Sequence, residues 1–151
     1  MEAPNHLKIG NDVYIGKYCT IECDGSIGNH VLIANNVGLI GRYDHDFGTI
    51  GVPVRQSPWI GDADYNGPGK GLRICIEDDV WVGYGSILLS GITIGRGAII
   101  AAGSVVTRDI PAYGIAVGNP AIVKKYRFTP AQILEHEKCL GQETFHSLNH
   151  T

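Results

Sequence analysis

The sequence is poor in the features that mark several common protein classes. Charged side chains make up 18% of its 151 residues, and no run of Lys or Arg indicates a nucleic-acid partner. No apolar run approaches the ~20 residues that a membrane-spanning helix needs, and the first ten residues lack the apolar stretch of a signal peptide. The four cysteines show no C-x-x-C spacing and are too few for a secreted disulfide scaffold. We therefore expect a cytoplasmic protein with free thiols, no membrane span and no nucleic-acid partner.

Glycine is abundant, with 21 residues, and apolar residues recur at every sixth position. One array is Ile9, Ile15, Ile21, Ile27, Ile33 and Leu39, and the second is Ile76, Val82, Leu88, Ile94, Ile100 and Val106. A period of six scatters side chains around a helix but fits a short strand followed by a corner. Three such hexads close a triangular coil of 18 residues, so we predict an all-β fold, a parallel β-helix with two coils in each array.

A long segment without this rhythm, about residues 44–73, separates the two arrays and predicts an inserted loop. Long loops without their own periodicity are usually functional. The rhythm ends near residue 128, so we divide the chain into a β-helix domain, 1–128, and a C-terminal part, 129–151. In that part Thr129 caps and Pro130 opens a short α-helix. We expect this helix to end at Gly141 and the tail beyond it to fray.

Both arrays, together with residues 76–83 (IEDDVWVG), 101–111 (AAGSVVTRDIP) and 118–121 (GNPA), resemble the hexapeptide-repeat acyltransferases. The resemblance is closest to the xenobiotic and polysaccharide-type O-acetyltransferases, because of the long loop with Trp59 and the ending 127–134 (RFTPAQIL). The sequence departs from the maltose and galactoside type, because the hexads start at Ile9 rather than after a helical segment. It implies a left-handed coil, whereas the spacing alone does not fix the hand. It also implies a homotrimer with sites between subunits, acetyl-CoA as co-substrate and no metal.

His45 is the candidate catalytic residue, since it lies where the repeat gives way to the loop. Histidine is the usual general base near neutral pH. In the resembled family, a histidine at this place takes the proton of the acceptor, whose oxygen or nitrogen then attacks the thioester of acetyl-CoA. No G-x-S-x-G elbow is present, in agreement with a reaction without a covalent enzyme intermediate.

The family resemblance also implies a CoA site in the second array. Its candidate residues are the groove residues Gly83, Tyr84, Ala102 and Gly103, the pair Thr107 and Arg108, and the basic residues Lys124 and Lys125. The small residues keep the corners slim, and the lysines suit the CoA phosphates. The alternative for the small residues is corner geometry alone, and for the lysines ordinary surface charge.

The candidate acceptor-binding residues are Asp44, Asp46, Trp59, Tyr65 and Trp81. Asp44 and Asp46 flank His45, and in an extended segment their side chains point away from it. Trp59 and Tyr65 in the loop could stack on a sugar or another ring. Trp81 points out of its coil, where it lines either the groove or a subunit contact.

These observations favour acetyl transfer from acetyl-CoA to a hydroxyl of a small acceptor, above all a sugar of polysaccharide or lipopolysaccharide biosynthesis. Acceptors left open are a xenobiotic or antibiotic, serine, or an amino-sugar amine, so O- versus N-acetylation is undecided. A zinc enzyme on the same scaffold needs three protein ligands, usually histidines, and after His45 the next histidine is His136. The non-enzyme alternative is a β-helix scaffold.

Overall fold

The structure is a computed structural model that describes residues 6–148, with side chains as far as Gly141. It contains fourteen short strands, one 3-10 helix in the inserted loop, Val54–Gln56, and one α-helix, α1, Pro130–Leu148. The strands before the loop are β1 Leu7–Ile9, β2 Tyr14–Ile15, β3 Thr20–Ile21, β4 Gly25–Ile27, β5 Leu32–Ile33 and β6 Gly38–Ile40. Those after it are β7 Ile74–Ile76, β8 Trp81–Val82, β9 Ile87–Leu89, β10 Ile92–Ile94, β11 Ile99–Ile100, β12 Val105–Val106, β13 Gly114–Val117 and β14 Ile122–Tyr126.

The strands stack into three sheets that form the faces of a triangular prism. Face A contains β1, β4, β7 and β10; face C contains β3, β6, β9 and β12. Face B contains β2, β5, β8, β11 and β13 in parallel, and β14 joins it antiparallel to β13. Within an array, paired residues are 18 positions apart, as are Leu7 and Gly25. The predicted parallel β-helix with coils of 18 residues is confirmed.

The sixth-position apolar side chains fill the interior of the prism. From Ile27 to Val106, every residue of the two arrays is at most 2% exposed. Ile9 and Ile15 remain 47% and 36% exposed because they belong to the first coil, which packs against a neighbouring coil on one side only. The hydrophobic stabilisation of the prism is therefore concentrated in the inner coils, on both sides of the loop.

Two of the three corners repeat a left-handed backbone conformation at the fourth position of the hexad. The corner between faces A and B has it at Asp12, His30, Asp79, Gly97 and Tyr113, and the corner between B and C at Tyr18, Asn36, Gly85 and Gly103. The φ angles lie between 52° and 69°. Both glycine and larger residues therefore make the same turn, although glycine does so without a Cβ in close contact.

The C-terminal helix begins as predicted and ends later. The Thr129 N–H donates to Gln132 Oε1 at 2.9 Å, and the Gln132 N–H donates to Thr129 Oγ1 at 3.3 Å, which is a reciprocal cap. The expected end at Gly141 is wrong, because the helix continues to Leu148. A single helical glycine costs only about 1 kcal/mol, and the helix-compatible residues after it outweigh that cost. The predicted fraying of 142–151 is wrong for 142–148, which are helical, and 149–151 lie outside the described residues.

Candidate active site

The inserted loop leaves the prism after β6 and returns at β7, at the corner between faces C and A. Its two stems are held by the next coil. The Arg42 N–H donates to Ser90 Oγ at 3.0 Å, and the Gly91 N–H donates to the Arg73 carbonyl at 2.7 Å. Leu72 packs only 3.2 Å from where a Cβ of Gly91 would lie. The loop therefore starts and ends on a fixed base.

The backbone of His45 is held inside a short antiparallel pair within the loop. His45 lies opposite Trp59 across this pair. The Asp46 N–H donates to the Pro58 carbonyl, and the Ile60 N–H donates to the carbonyl of the residue before His45, each at 2.9 Å. Because these bonds lie on both sides of His45, its Cα position is fixed relative to the loop.

The ring of His45 is half-buried and faces a backbone carbonyl. Its Nδ1 lies 3.4 Å from the carbonyl oxygen of Ser57. A carbonyl oxygen only accepts, so this contact favours the proton on Nδ1 and leaves Nε2 with a lone pair. Ser57 is itself buried, and its Oγ donates to the Val54 carbonyl at 2.7 Å. The arrangement can present Nε2 as a general base.

The two aspartates beside His45 do not contact its ring. Asp46 Oδ1 accepts from the Gly48 N–H at 3.1 Å, and Asp44 is exposed. Among residues 6–141, no carboxylate lies within hydrogen-bond or ion-pair distance of the His45 ring. The ring orientation therefore depends on the Ser57 carbonyl, and roles of Asp44 and Asp46 toward an acceptor stay predictions.

The two aromatic residues predicted for the acceptor pocket have different surroundings. The Trp59 side chain is 39% exposed and folds over Gly61, where a Cβ would lie 2.3 Å from the indole ring. Tyr65 is buried, and its hydroxyl donates to the Pro68 carbonyl at 2.7 Å. Burial, and then the charge of Asp46, raise the pKa of the Tyr65 phenol. Tyr65 thus fastens the loop, while Trp59 presents a ring to solvent.

The predicted groove residues lie in one column at the corner between faces B and C. The Gly103 N–H donates to the Tyr84 carbonyl at 2.8 Å, and the register of the strands places Ala102 over Tyr84 in the coil below. Nothing lies within 4 Å of the place where a Cβ of Gly103 would stand, and the same holds for Gly85 one coil below. This column therefore has open space at Gly85 and Gly103, beside the side chain of Tyr84, which is 57% exposed.

Thr107 and Arg108 lie at the other end of β12, beside the stem of the loop. The guanidinium of Arg42 donates from Nη2 to the Thr107 carbonyl at 2.6 Å and from Nε to the Ser90 carbonyl at 3.2 Å. Four residue steps of a strand, about 13 Å, separate Gly103 from Thr107. Within one chain, the residues predicted for CoA therefore divide between two corners, and the loop that carries His45 starts at the corner of Thr107.

The remaining predicted residues lie on face B. Trp81 is 50% exposed and pairs with the half-exposed Leu32 on one side and with Ile99 on the other. This ladder of side chains is an apolar stripe on the outside of the prism. Lys124 and Lys125 are exposed on β14, at the end of the same face.

Three likenesses to known proteins agree with this geometry. Residues 76–108 match the family model described as bacterial transferase hexapeptide (six repeats). The galactoside O-acetyltransferase of Lactococcus lactis is 34% identical over 143 residues, which cover 93% of this chain and 63% of that protein. The solved maltose O-acetyltransferase of Clostridium difficile 630 is 30% identical, covers 84% of this chain and 70% of that one, and has a TM-score of 0.53. This chain belongs to the hexapeptide-repeat transferase family.

A further likeness is the polySia-specific acetyltransferase NeuO, which is 28% identical and covers 81% of this chain and 52% of that chain, with a TM-score of 0.58. As a member of the hexapeptide-repeat family, the chain has the left-handed coil that its residues alone did not fix. It spans 56 to 63% of the length of the curated relatives that it matches over most of its own length.

A further groove of this hexapeptide-repeat chain lies away from the predicted site. This groove of about 710 Å3 runs along face A and its corner with face B, lined among others by Lys8, Asn29, Cys75 and Asp78, and it contains none of the predicted site residues. Among the described residues, no three His, Cys, Asp or Glu side chains are grouped as metal ligands. Within the same residues, α1 is too polar to be a membrane-crossing helix.

The residues that the pattern of the sequence did not indicate are Ser57 and Arg42. Ser57 contacts His45 with its own backbone carbonyl, and Arg42 donates to the backbone carbonyls of other residues. Because every residue has a carbonyl, no motif marks either contact. The single available signal for Arg42 was its place directly after the last strand of the first array.

Proposed function

We propose that this chain is an acetyl-CoA-dependent O-acetyltransferase that acts on a hydroxyl of a small acceptor. The observation that carries the proposal is the geometry of His45, whose Nδ1 faces the Ser57 carbonyl while Nε2 keeps its lone pair. The names of the galactoside and maltose O-acetyltransferases support a sugar as acceptor and oxygen as the acetylated atom. A sugar of surface polysaccharide biosynthesis fits the likeness to the polySia-specific enzyme.

His45 serves as general base in this proposal. Its Nε2 accepts the proton of the acceptor hydroxyl while the oxygen forms a bond to the carbonyl carbon of acetyl-CoA. The tetrahedral intermediate then collapses, the carbon–sulfur bond breaks, and the CoA thiolate takes the proton from the imidazolium. The acetyl group moves directly, so the protein needs no nucleophile of its own.

The column of Gly83, Tyr84, Ala102 and Gly103 is suited to the pantetheine arm of acetyl-CoA. Its corner is slim, and the open space at Gly103 allows a chain-like ligand to approach backbone groups. Thr107 and Arg108 would lie near the pantetheine and nucleotide of acetyl-CoA, and the exposed Lys124 and Lys125 would meet the phosphates.

The separation of the two corners supports a homotrimer with sites between subunits. His45 belongs to the loop that starts at the corner of Thr107, and about 13 Å of strand separates Thr107 from Gly103. A second copy can supply the facing corner. The apolar stripe around Trp81 on face B supports such contacts, because exposed apolar patches mark association surfaces.

The acceptor would lie over the loop, between His45 and the exposed ring of Trp59, where aromatic faces stack on sugars. Asp44 and Asp46 would accept hydrogen bonds from acceptor hydroxyls. The buried Tyr65 would contribute by holding the loop. Four free cysteines agree with a reducing compartment and support a cytoplasmic location.

The test is release of CoA thiol from acetyl-CoA with a panel of sugars, nucleotide sugars, serine and antibiotics. We expect release with a sugar, and we expect His45→Asn to lower kcat by ~10²-fold or more while calorimetry still detects acetyl-CoA binding. The matched control is His30→Asn, since His30 is exposed at a corner and its side chain bonds only Asp12 among the described residues.

Near-normal turnover by His45→Asn would remove the base assignment. Release with serine or an amine alone would replace the sugar by that acceptor. An absence of both release and acetyl-CoA binding would favour a β-helix scaffold without catalysis.

A further inference from the structure

Arg42 is the first side chain of the loop that reaches back to the prism. It lies two residues after β6 and three before His45, and it is half-buried. Its backbone N–H and its Nε both contact Ser90, in the coil next to its own, at 3.0 and 3.2 Å. Its Nη2 reaches one coil further, to the carbonyl of Thr107, at 2.6 Å. One side chain therefore joins the loop to two successive coils.

We propose that Arg42 is a positioning residue for the acetyl transfer: it holds the loop that carries His45 in register with the coil that carries Thr107. The proposal rests on the proposed function, because Thr107 is one of the residues proposed to bind acetyl-CoA. Arg42 does not touch the reacting atoms. It determines where the base lies relative to the co-substrate.

The chemistry of the contacts requires an arginine. Nε and Nη2 lie in one rigid plane, so they can donate together to two carbonyls that belong to different coils. A lysine ammonium is a single centre on a flexible stem and cannot bridge both carbonyls in a fixed geometry. The partners are neutral, and among residues 6–141 no carboxylate forms an ion pair with Arg42. The contacts thus serve geometry rather than charge neutralisation.

The loop makes a second contact with the same corner, at its other stem. The Gly91 N–H donates to the Arg73 carbonyl at 2.7 Å. That bond holds the end of the loop 28 residues after His45, whereas Arg42 holds the end only three residues before it. Loss of the Arg42 bridge should therefore displace His45 while the exit stem stays in place. A displacement of about 1 Å is enough to cost on the order of 10²-fold in rate.

The test compares Arg42→Ala and Arg42→Lys with the wild type, using acetyl-CoA and the acceptor that the panel identifies. We expect Arg42→Ala to lower kcat about 10- to 100-fold, and Arg42→Lys to recover only part of it. Arg55→Ala is the matched control, because Arg55 is an exposed arginine of the same loop and should leave kcat within about 2-fold.

A double-mutant cycle separates positioning from general damage. If Arg42 acts through His45, the alanine substitution should change the residual rate by less than about 3-fold once His45 is asparagine. A full 10- to 100-fold loss in that background would overturn the proposal. So would wild-type kcat in Arg42→Ala.

Hydrogen exchange gives a readout that does not depend on activity. We expect the amides of Asp46 and Ile60 to exchange at least about 10-fold faster in Arg42→Ala, while the coil amides of Gly83 and Gly103 keep their protection. Equal loss of protection in loop and coils, or no change in the loop, would overturn the proposal. If the wild type transfers no acetyl group, the proposed function fails, and the exchange result still decides whether Arg42 holds the loop.

Discussion

Two glycines of one corner, Gly83 and Gly85, allow the roles of glycine in this fold to be separated by alanine substitution. A Cβ on Gly83 would lie 2.6 Å from the Ala102 nitrogen and 2.7 Å from the Ile100 oxygen of the next coil. The N–H of Gly83 donates to that same oxygen at 2.8 Å. A methyl group therefore has to push two hydrogen-bonded coils apart. We expect overpacking and the weakened hydrogen bond together to cost about 2–4 kcal/mol.

Gly85 has the opposite surroundings. Nothing lies within 4 Å of its Cβ position, and its φ of +66° is the only obstacle to a side chain. Tyr18 and Asn36 adopt nearly the same φ in the same column. The left-handed conformation costs an alanine about 1–2 kcal/mol. Alanine also lowers the conformational entropy of the unfolded chain, which stabilises the folded state by about 0.4–1 kcal/mol. The net cost of Gly85→Ala should be about 1 kcal/mol or less.

The assay is thermal and urea unfolding followed by far-ultraviolet circular dichroism, with all proteins at one concentration because association shifts apparent stability. For a chain of this length, Gly83→Ala should lower the Tm by roughly 5–15 °C and Gly85→Ala by about 3 °C or less. Ala34 occupies the position of Gly83 one coil below. A methyl group can therefore stand at this corner where the next coil leaves room for it. Equal losses for both variants, or a loss below about 0.5 kcal/mol for Gly83→Ala, would refute the inter-coil argument.

Two further predictions concern the buried thiol of Cys23 and the contact of α1 with Asp79. Burial, and then the charge of Asp24, raise the pKa of the Cys23 thiol to about 11. Native Cys23 should therefore react with Ellman's reagent at pH 8 at least ~10²-fold more slowly than the exposed Cys139. Equal reactivity of the two thiols would contradict the burial of Cys23. Because the folded state favours the neutral thiol, the free energy of unfolding should also fall as the pH rises from 9 to about 11. Asp79 Oδ2 accepts from Arg127 Nη1 at 2.7 Å and from His136 Nε2 at 3.1 Å. Asp79→Asn keeps a residue suited to the left-handed φ but removes the charge, so it should lower the free energy of unfolding by about 1–2 kcal/mol. Because the contact with His136 of α1 weakens, trypsin should also cleave within α1 faster. An unchanged digestion pattern would count against a role of Asp79 in holding α1 on the prism.

Much of the fold could be predicted because its information is local. A residue at every sixth position dictates a short strand, a corner and a buried side chain, and this repeats without reference to distant parts of the chain. The same holds for the start of α1, where Thr129 and Gln132 lie within one turn. The end of the helix was wrong because a lone glycine, Gly141, is a weak signal that neighbouring helix formers override.

The candidate site could be predicted only in part. The sequence by itself pointed to His45, because a lone histidine at the break of the repeat stands out, and to the slim corner at Gly103. It could not indicate that the Ser57 carbonyl faces the ring, or that the exposed ring is Trp59 while Tyr65 is buried.

The repeat is thus a property of the sequence, whereas the setting of His45 is a property of the tertiary structure. The corners follow from residues that are neighbours along the chain. The bonds of Arg42 to the carbonyls of Ser90 and Thr107 join residues 48 and 65 positions apart. They exist only because the coils stack in one register, which brings backbone oxygens that carry no sequence signature beneath the stem of the loop.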